Sequence, residues 1–279
     1  MEPALYIVAT PIGNLGDVSR RALEVLSSVS CIAAEDTRRT GQLLSGEGIK
    51  TPMLAYHEHS APQVAEQLAA RVAEGESVAL VSDAGTPTIS DPGYRLVRVM
   101  QEAGLKVVPL PGPCAAIVGL SGSGLPSDRF AFEGFLPNRG EARRRRLESL
   151  AGADATLIFY EAPHRIVATL EDMQSVMGEE REAALARELT KSFETIRRAS
   201  LRELCDWVRG DTNQSRGEIV LLLAPGKEER DLQLDPALGE LLLGIAEHMP
   251  ARKAAKLVSG YSGIHSRQLY DYLLQHRPG

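Results

Sequence analysis

The stretch VSDAGTPTISDPG, residues 81–93, leaves an apolar run and packs two Pro, two Gly and two Asp into one loop, a density that a plain turn does not need. Gly85 and Gly93 permit close backbone approach to a ligand, Pro87 and Pro92 stiffen the loop, and its polar groups suit an amino-acid moiety or a ribose. Residues 110–116, LPGPCAA, form a second close-approach loop whose small residues could pack on a flat base such as adenine. The first strand runs into TPIGNLGD, residues 10–17, and lacks G-x-G-x-x-G, which demotes a nicotinamide dehydrogenase. Pro11 directs that loop and Gly13 and Gly16 let it turn. Asn14 and Asp17 are thereby left near a strand's carboxyl end, where α/β sheets place their ligands.

The next strand exits as AAEDTRRTG, residues 33–41, and brings Glu35, Asp36, Thr37, Arg38 and Arg39 to the same sheet edge. The Asp-Thr-Arg group as a whole could hold a polar substrate. A helix N-terminus with Asp36 or Thr37 as N-cap and the arginines in solvent fits as well, and for Thr37 alone it is preferred. His57, Glu58 and His59 could move protons or bind metal. H-x-H with one Glu and no further ligand cluster falls short of zinc spacings, so no metal is expected, whereas general-base or substrate-orienting work suits these residues.

The elements that must position these loops follow from periodicity. Residues 1 to about 115 alternate apolar β-rich runs with helical patterns, the signature of βαβ units and a largely parallel sheet. Strands are expected over 5–9, 31–34, 78–81 and 106–110, with an amphipathic helix over 64–73 ending at Gly75. The pattern restarts near Arg129 as a second α/β region with hairpin-like spacing. The Gly-rich stretch 111–126 reads as the join, and a cleft between domains is a preferred ligand site. The resulting division is 1–116 for the cofactor and substrate loops, 117–226 for a second α/β domain, and 227–279 for a linker and a small helical appendage resembling a helix-turn-helix. Arg143, Arg144, Arg145 and Arg146 read as a solvated helix face.

With 279 residues, 43% hydrophobic and 24% charged, the composition is globular, and the net charge of −6 argues against a protein that coats nucleic acid without specificity. Cys31, Cys114 and Cys205 are distant and odd in number, so neither a disulfide framework nor a zinc site is implied. No basic leader and no membrane-length apolar run is evident, and a cytoplasmic location is expected.

Ten segments, VATPIGNLGD, AAEDTR, YHEH, VSDAGTPTISDPG, LPGPCAA, SGLP, FEGFLP, FYEAPHR, ARELTK and GEIVLLL, occur in that order over nearly the whole chain. By these the chain resembles the tetrapyrrole methylase superfamily and, within it, the ribosomal RNA small-subunit methyltransferase I family. The resemblance implies a two-domain α/β fold with a mostly parallel first sheet and a mixed second sheet. It also implies a homodimer that binds S-adenosylmethionine between the domains and methylates the ribose 2'-oxygen of a cytidine in the decoding region of 16S RNA. Cofactor contacts would come from Asp83, Gly85, Thr86, Ile89, Ser90, Pro111, Cys114 and Ala115, and from Tyr160, Arg187, Glu188, Leu189, Gly217 and Glu218. The substrate face would use Asp17, Thr37, Arg38, His59, Arg165 and Lys191, and Asp36, Glu58 or His57 could take the hydroxyl proton during in-line displacement. The alternatives are a methylase of a small, tetrapyrrole-like acceptor and a non-catalytic cofactor-binding module of ribosome assembly.

Overall fold

Three central strands buried on both faces set the first sheet. In the computed structural model of the chain, which describes residues 1–57, 60, 62–226, 234–264 and 266–276, strands β1 (Leu5–Ile7), β2 (Cys31–Ala34), β3 (Met53–Ala55), β4 (Val78–Val81) and β5 (Val107–Pro109) pair in parallel in the order β3-β2-β4-β1-β5. Side chains alternate across a strand. Leu5, Ile7, Cys31, Ala33, Val78 and Leu80 therefore meet helices α3 (Pro62–Ala73) and α4 (Tyr94–Glu102) on one face. Tyr6, Ile32, Ala34, Ala79 and Val81 meet α1 (Arg20–Ser28) and α2 (Thr37–Gly46) on the other. β1 stops short of the expected residue 9 because the chain turns to meet β4's loop, where Thr10 and Gly85 exchange backbone hydrogen bonds of 2.9 and 3.0 Å.

The second sheet is mixed. Strands β6 (Phe130–Phe135), β7 (Thr156–Glu161), β8 (Glu182–Arg187), β9 (Thr195–Ser200) and β10 (Ile219–Leu223) take the order β6-β7-β10-β8-β9, parallel only between β6 and β7. One face packs on α5 (Ala115–Ser123) through Ala116 and Leu120. The other carries α6 (Gly140–Leu150), α7 (Ile166–Met177) and α8 (Leu201–Gly210) over Leu157, Phe159, Leu185 and Leu221.

The stretch read as a join is thus in large part a helix. α5 is apolar, and its glycines let it lie close to the sheet: a Cβ on Gly122 would sit 2.6 Å from Ile196 Cδ1, and one on Gly119 3.3 Å from Val220 Cγ1. One member of the arginine run, Arg143, departs from the solvated-face reading. Arg143 is 7% exposed and pairs with Asp172 of α7 at 2.7 Å, while Arg144 reaches the other oxygen of Asp172 at 2.9 Å. Arg146 pairs with Glu133 of β6 and Arg145 with Glu141, and these two, like Arg144, stay exposed to solvent.

Residues Met1–Pro225 form one compact unit that holds both sheets, and Gly226–Gly279 form another. The second consists, among the described residues, of α9 (Pro236–His248), α10 (Ala251–Ser262) and α11 (Ser266–His276) around Leu242, Ala246, Ala254, Val258, Leu269 and Leu273. Gly239 brings α9 against α11, since a Cβ there would lie 2.9 Å from the Tyr272 hydroxyl. Among the described residues, no helix is long and apolar enough to cross a membrane.

Candidate active site

Parallel strands deliver their following loops to one edge, and here the loops after β1, β2 and β4 meet the ends of β6, β7 and β8 and the start of β10. Between them lies a cavity of about 400 Å³, within the roughly 300–1,000 Å³ typical of small-molecule sites. The first sheet supplies Ile12, Glu35, Arg39 and most of residues 83–91, and the N-terminus of α5 adds Cys114 and Ala115. Phe135, the stretch 160–163, Leu189 and residues 218–220 close the opposite side.

The loop after β4 is held in a shape its side chains resist. Thr88 and Ser90 have φ of 75° and 63°, and across the cavity Glu188 and Thr190 have 51° and 65°. Such left-handed conformations are strained for residues other than glycine, most of all for β-branched threonine. Hydrogen bonds fix the loop after β4 in place. The Thr86 hydroxyl donates to Pro113 O at 2.8 Å, and the Thr10–Gly85 bridge ties the loop to the exit of β1. Gly93, at φ 137°, has no room for a Cβ, which would lie 2.7 Å from Leu80 Cδ2.

Carboxylates dominate the polar lining. Asp83 accepts from the Asp36 backbone N–H at 3.0 Å and pairs with Arg39 at 3.1 Å, while its own N–H donates to Glu35 at 3.2 Å. The exits of β2 and β4 are thereby cross-braced. Burial pushes the Asp91 carboxyl up to about 6, the charges of Glu35 and Asp83 add to this, and a hydrogen bond from Ser82 opposes it. Glu161, 3% exposed, accepts from Thr169 at 2.6 Å and from the Ala162 N–H at 2.8 Å. Tyr160 accepts from the Ala116 N–H at 3.2 Å and packs edge-on against Phe132 and Phe135. Burial, with Cys114 second, raises its phenol well above the ordinary tyrosine range and keeps it protonated.

Of the residues expected to touch cofactor, Asp83, Gly85, Thr86, Ile89, Ser90, Cys114, Ala115, Tyr160, Leu189 and Glu218 line the cavity. Pro111, Arg187, Glu188 and Gly217 do not. Pro111 is exposed beside Gly112, which packs on Ala9. The buried Arg187 braces a turn by donating to Arg216 O and Phe193 O at 3.2 and 3.1 Å. Glu188 binds Lys191 at 2.8 Å and accepts the Glu218 N–H at 3.0 Å, contacts that hold its carboxyl low although burial, the largest single influence, acts upward. Gly217, at φ 78°, leaves room for that carboxylate.

The expected substrate and proton-moving residues are more scattered. Asp36 caps α2 rather than lining the cavity: it accepts the Arg38 N–H at 2.8 Å and pairs with the Arg38 guanidinium, which lowers its carboxyl to about 2. A carboxylate held that low is a weak base. Thr37 opens α2, and Arg38 is exposed on Asp36. Asp17 sits in an exposed 3-10 turn, and His57 is exposed, its backbone N–H donating to Ser60 Oγ at 2.9 Å. Glu58 and His59 lie outside the described residues. Arg165 donates to Leu136 O at 2.8 Å and pairs with Glu161 at 3.2 Å, fixing the segment after β6 to the end of β7. Lys191 pairs with Glu188 and Glu218 and lies over Gly13, where a Cβ would be 2.4 Å from its Cγ.

Four charged lining residues, Glu35, Arg39, Asp91 and Glu161, were given no cofactor, substrate or proton-moving role by sequence reasoning. The signal was present: Glu35 and Arg39 flank the nominated group in AEDTRR, and Asp91 stands in the SDPG end of the loop after β4.

Residues 4–205 match the family model described as Tetrapyrrole (Corrin/Porphyrin) Methylases, and residues 233–277 match one described as RsmI C-terminal HTH domain. The chain is 54% identical over 272 residues to the Ribosomal RNA small subunit methyltransferase I of Escherichia coli O157:H7, covering 97% of this chain and 94% of that one. It is 51% identical over 273 residues to the protein of the same name from Haemophilus influenzae, covering 98% and 96%. In fold it is similar to uroporphyrin-III C-methyltransferase from Thermus thermophilus complexed with S-adenyl homocysteine, with a TM-score of 0.54 at 16% identity over 79% of this chain and 97% of that one.

Proposed function

This chain belongs to the tetrapyrrole (corrin/porphyrin) methylases and, within them, to the ribosomal RNA small subunit methyltransferase I family, and from that premise we propose that it methylates the ribose 2'-oxygen of a cytidine in the decoding region of small-subunit ribosomal RNA. It is an S-adenosylmethionine-dependent methyltransferase. The observation that carries the reading is near-full-length identity above one half to a family named for its RNA, joined to a cavity built from the family's own loop segments. The reading extends to a homodimer, as the resemblance implies.

The cavity fits the cofactor by size and by its donor set. Ile12, Ile89, Leu189 and Val220 offer apolar walls for an adenine, while Glu35, Asp83 and Asp91 favour a ligand carrying positive charge. Bound there, S-adenosylmethionine supplies an electrophilic methyl group on a positively charged sulfur. The protein's share is alignment and removal of water, and well-held geometry can be worth about 7 kcal/mol or more of the barrier. The acceptor oxygen gains the methyl carbon and gives up its proton. Asp83 is held by Arg39, Glu218 by Lys191, and Glu161 by Arg165 and Thr169. Asp91, which titrates at about 6, is matched to take that proton near neutral pH. This moves the task away from Asp36, which is spent on its helix cap.

The test is methyl transfer from labelled S-adenosylmethionine to small ribosomal subunits that lack the modification, followed by nuclease mapping. Labelled 2'-O-methylcytidine in the decoding region is the expected product. Tight cofactor binding with no label on subunits or free RNA would overturn the reading in favour of a small-molecule acceptor or a non-catalytic module.

A further inference from the structure

We propose that a second cavity, of about 480 Å³, is the acceptor subsite and takes one unstacked ribonucleotide of an RNA strand. The inference rests on reading the chain as an RNA methyltransferase and says where in the molecule its acceptor sits. The cavity lies between the loop after β1 and the helix α2. It shares Arg39 and Asp83 with the first cavity, so the 3.1 Å ion pair between them stands at the common boundary.

Displacement geometry asks for such a neighbour. The oxygen that receives a methyl group must approach along the line away from the departing sulfur, so the acceptor needs a space that adjoins the cofactor's without coinciding with it. The lining suits a nucleotide. Pro11, Leu15 and Leu43 offer apolar surface to a base, and the exposed amide of Gln42 carries both donors and an acceptor for a base edge. The Arg39 guanidinium, 68% exposed, is placed where a phosphate would pass.

Leu15 gives an independent indication. It is 65% exposed and belongs to no core cluster, and it is carried on a 3-10 turn, Leu15–Asp17, which the Asn14 side chain caps by accepting the Gly16 N–H at 2.9 Å. An uncovered leucine on a capped turn at a cavity rim is expected of a surface that meets a flat ring. Leu15 thereby acquires a role that packing does not give it.

Gly46 allows a direct test. It lines the second cavity and not the first, its backbone is helical, and a Cβ there meets nothing within 4 Å. Gly46→Trp should fill the subsite and lower kcat/KM for unmodified small subunits by about fiftyfold or more. Leu15→Ala and Gln42→Ala, both at exposed positions, should raise KM for subunits about tenfold each, and they carry the test if the tryptophan variant does not fold. In all three, the Kd for S-adenosylmethionine, measured by calorimetry, should stay within about twofold of wild type. The inference is overturned if wild type labels the subunits and the folded variants keep kcat/KM within about twofold. It is overturned equally if activity falls only in step with cofactor affinity, because the cavity would then belong to the cofactor. Absence of label from the wild-type protein itself would instead refute the RNA-methylating function, and the acceptor subsite with it.

Discussion

Replacing Asp91 by Asn should stabilise the protein at alkaline pH while it impairs turnover. The carboxyl has an ordinary value of 3.8 and is pushed up to about 6, first by burial and then by the nearby charges of Glu35 and Asp83. At about 1.4 kcal/mol for each tenfold change, ionising it in place costs the folded protein about 3 kcal/mol. Below pH 3.8 the group is protonated in folded and unfolded chains alike, and the full stability is present. Between 3.8 and about 6 the unfolded chain ionises first, so stability falls as pH rises, and above about 6 the deficit is complete. An asparagine keeps the shape and can still accept from Ser82, but it never takes the charge. Urea denaturation of both proteins at about pH 8 should therefore show a gain of about 1–3 kcal/mol for Asp91→Asn, and at about pH 4 little difference. Equal stability of the two proteins at both pH values would refute the reasoning that a buried, charge-crowded carboxylate lines this cavity.

Further outcomes follow from the same geometry. Methyl transfer by the wild-type protein should decline on the acid side with an apparent pKa near 6, as Asp91 takes up a proton, and a flat profile from about pH 5 to about pH 8 would remove it from that role. Arg143→Ala breaks a pair that is 7% exposed on one side and 11% on the other and should cost about 3 kcal/mol in urea denaturation, whereas Arg145→Ala, at a 66% exposed position, should cost less than about 0.5 kcal/mol. Asp36→Ala removes a helix cap and should lower stability by about 1 kcal/mol, while Asp36→Asn, which still caps, should change it little in thermal melts. Gly93→Ala combines a φ of 137° with a 2.7 Å approach to Leu80 and should cost about 2 kcal/mol or more, together with weaker cofactor binding by calorimetry.

The parts that were legible share a local cause. β2 and β4 appear at the expected residues because unbroken apolar runs bounded by turn residues fix a buried parallel strand without help from distant sequence. The loops at the carboxyl ends of β1, β2 and β4 were legible because glycine and proline spacing is a backbone property. α5 was not, since Gly119 and Gly122 read as linker composition until Val220 and Ile196 are known to press on them. Arg143 was misjudged for the same reason: it is charged and looks solvated like its three exposed neighbours, and its burial depends on Asp172, which lies 29 residues further along the chain. The distinction between Asp36 and Glu35 is finer. Adjacent residues at a strand exit diverge, one into a cap and the other into the cavity, and composition does not register that divergence.

The four left-handed residues in the loops on either side of the cavity, of which Ser90 itself lines it, have a consequence for how this protein can be altered. Thr88 and Ser90 on one side, and Glu188 and Thr190 on the other, hold their loops against local preference. Exchange for glycine at Thr88 would relax the turn, and the same relaxation would blunt the contour that the lining presents. A library sorted by survival of heating and a library sorted by methyl transfer should therefore diverge at these positions, with the hardiest clones drawn from the poorest catalysts.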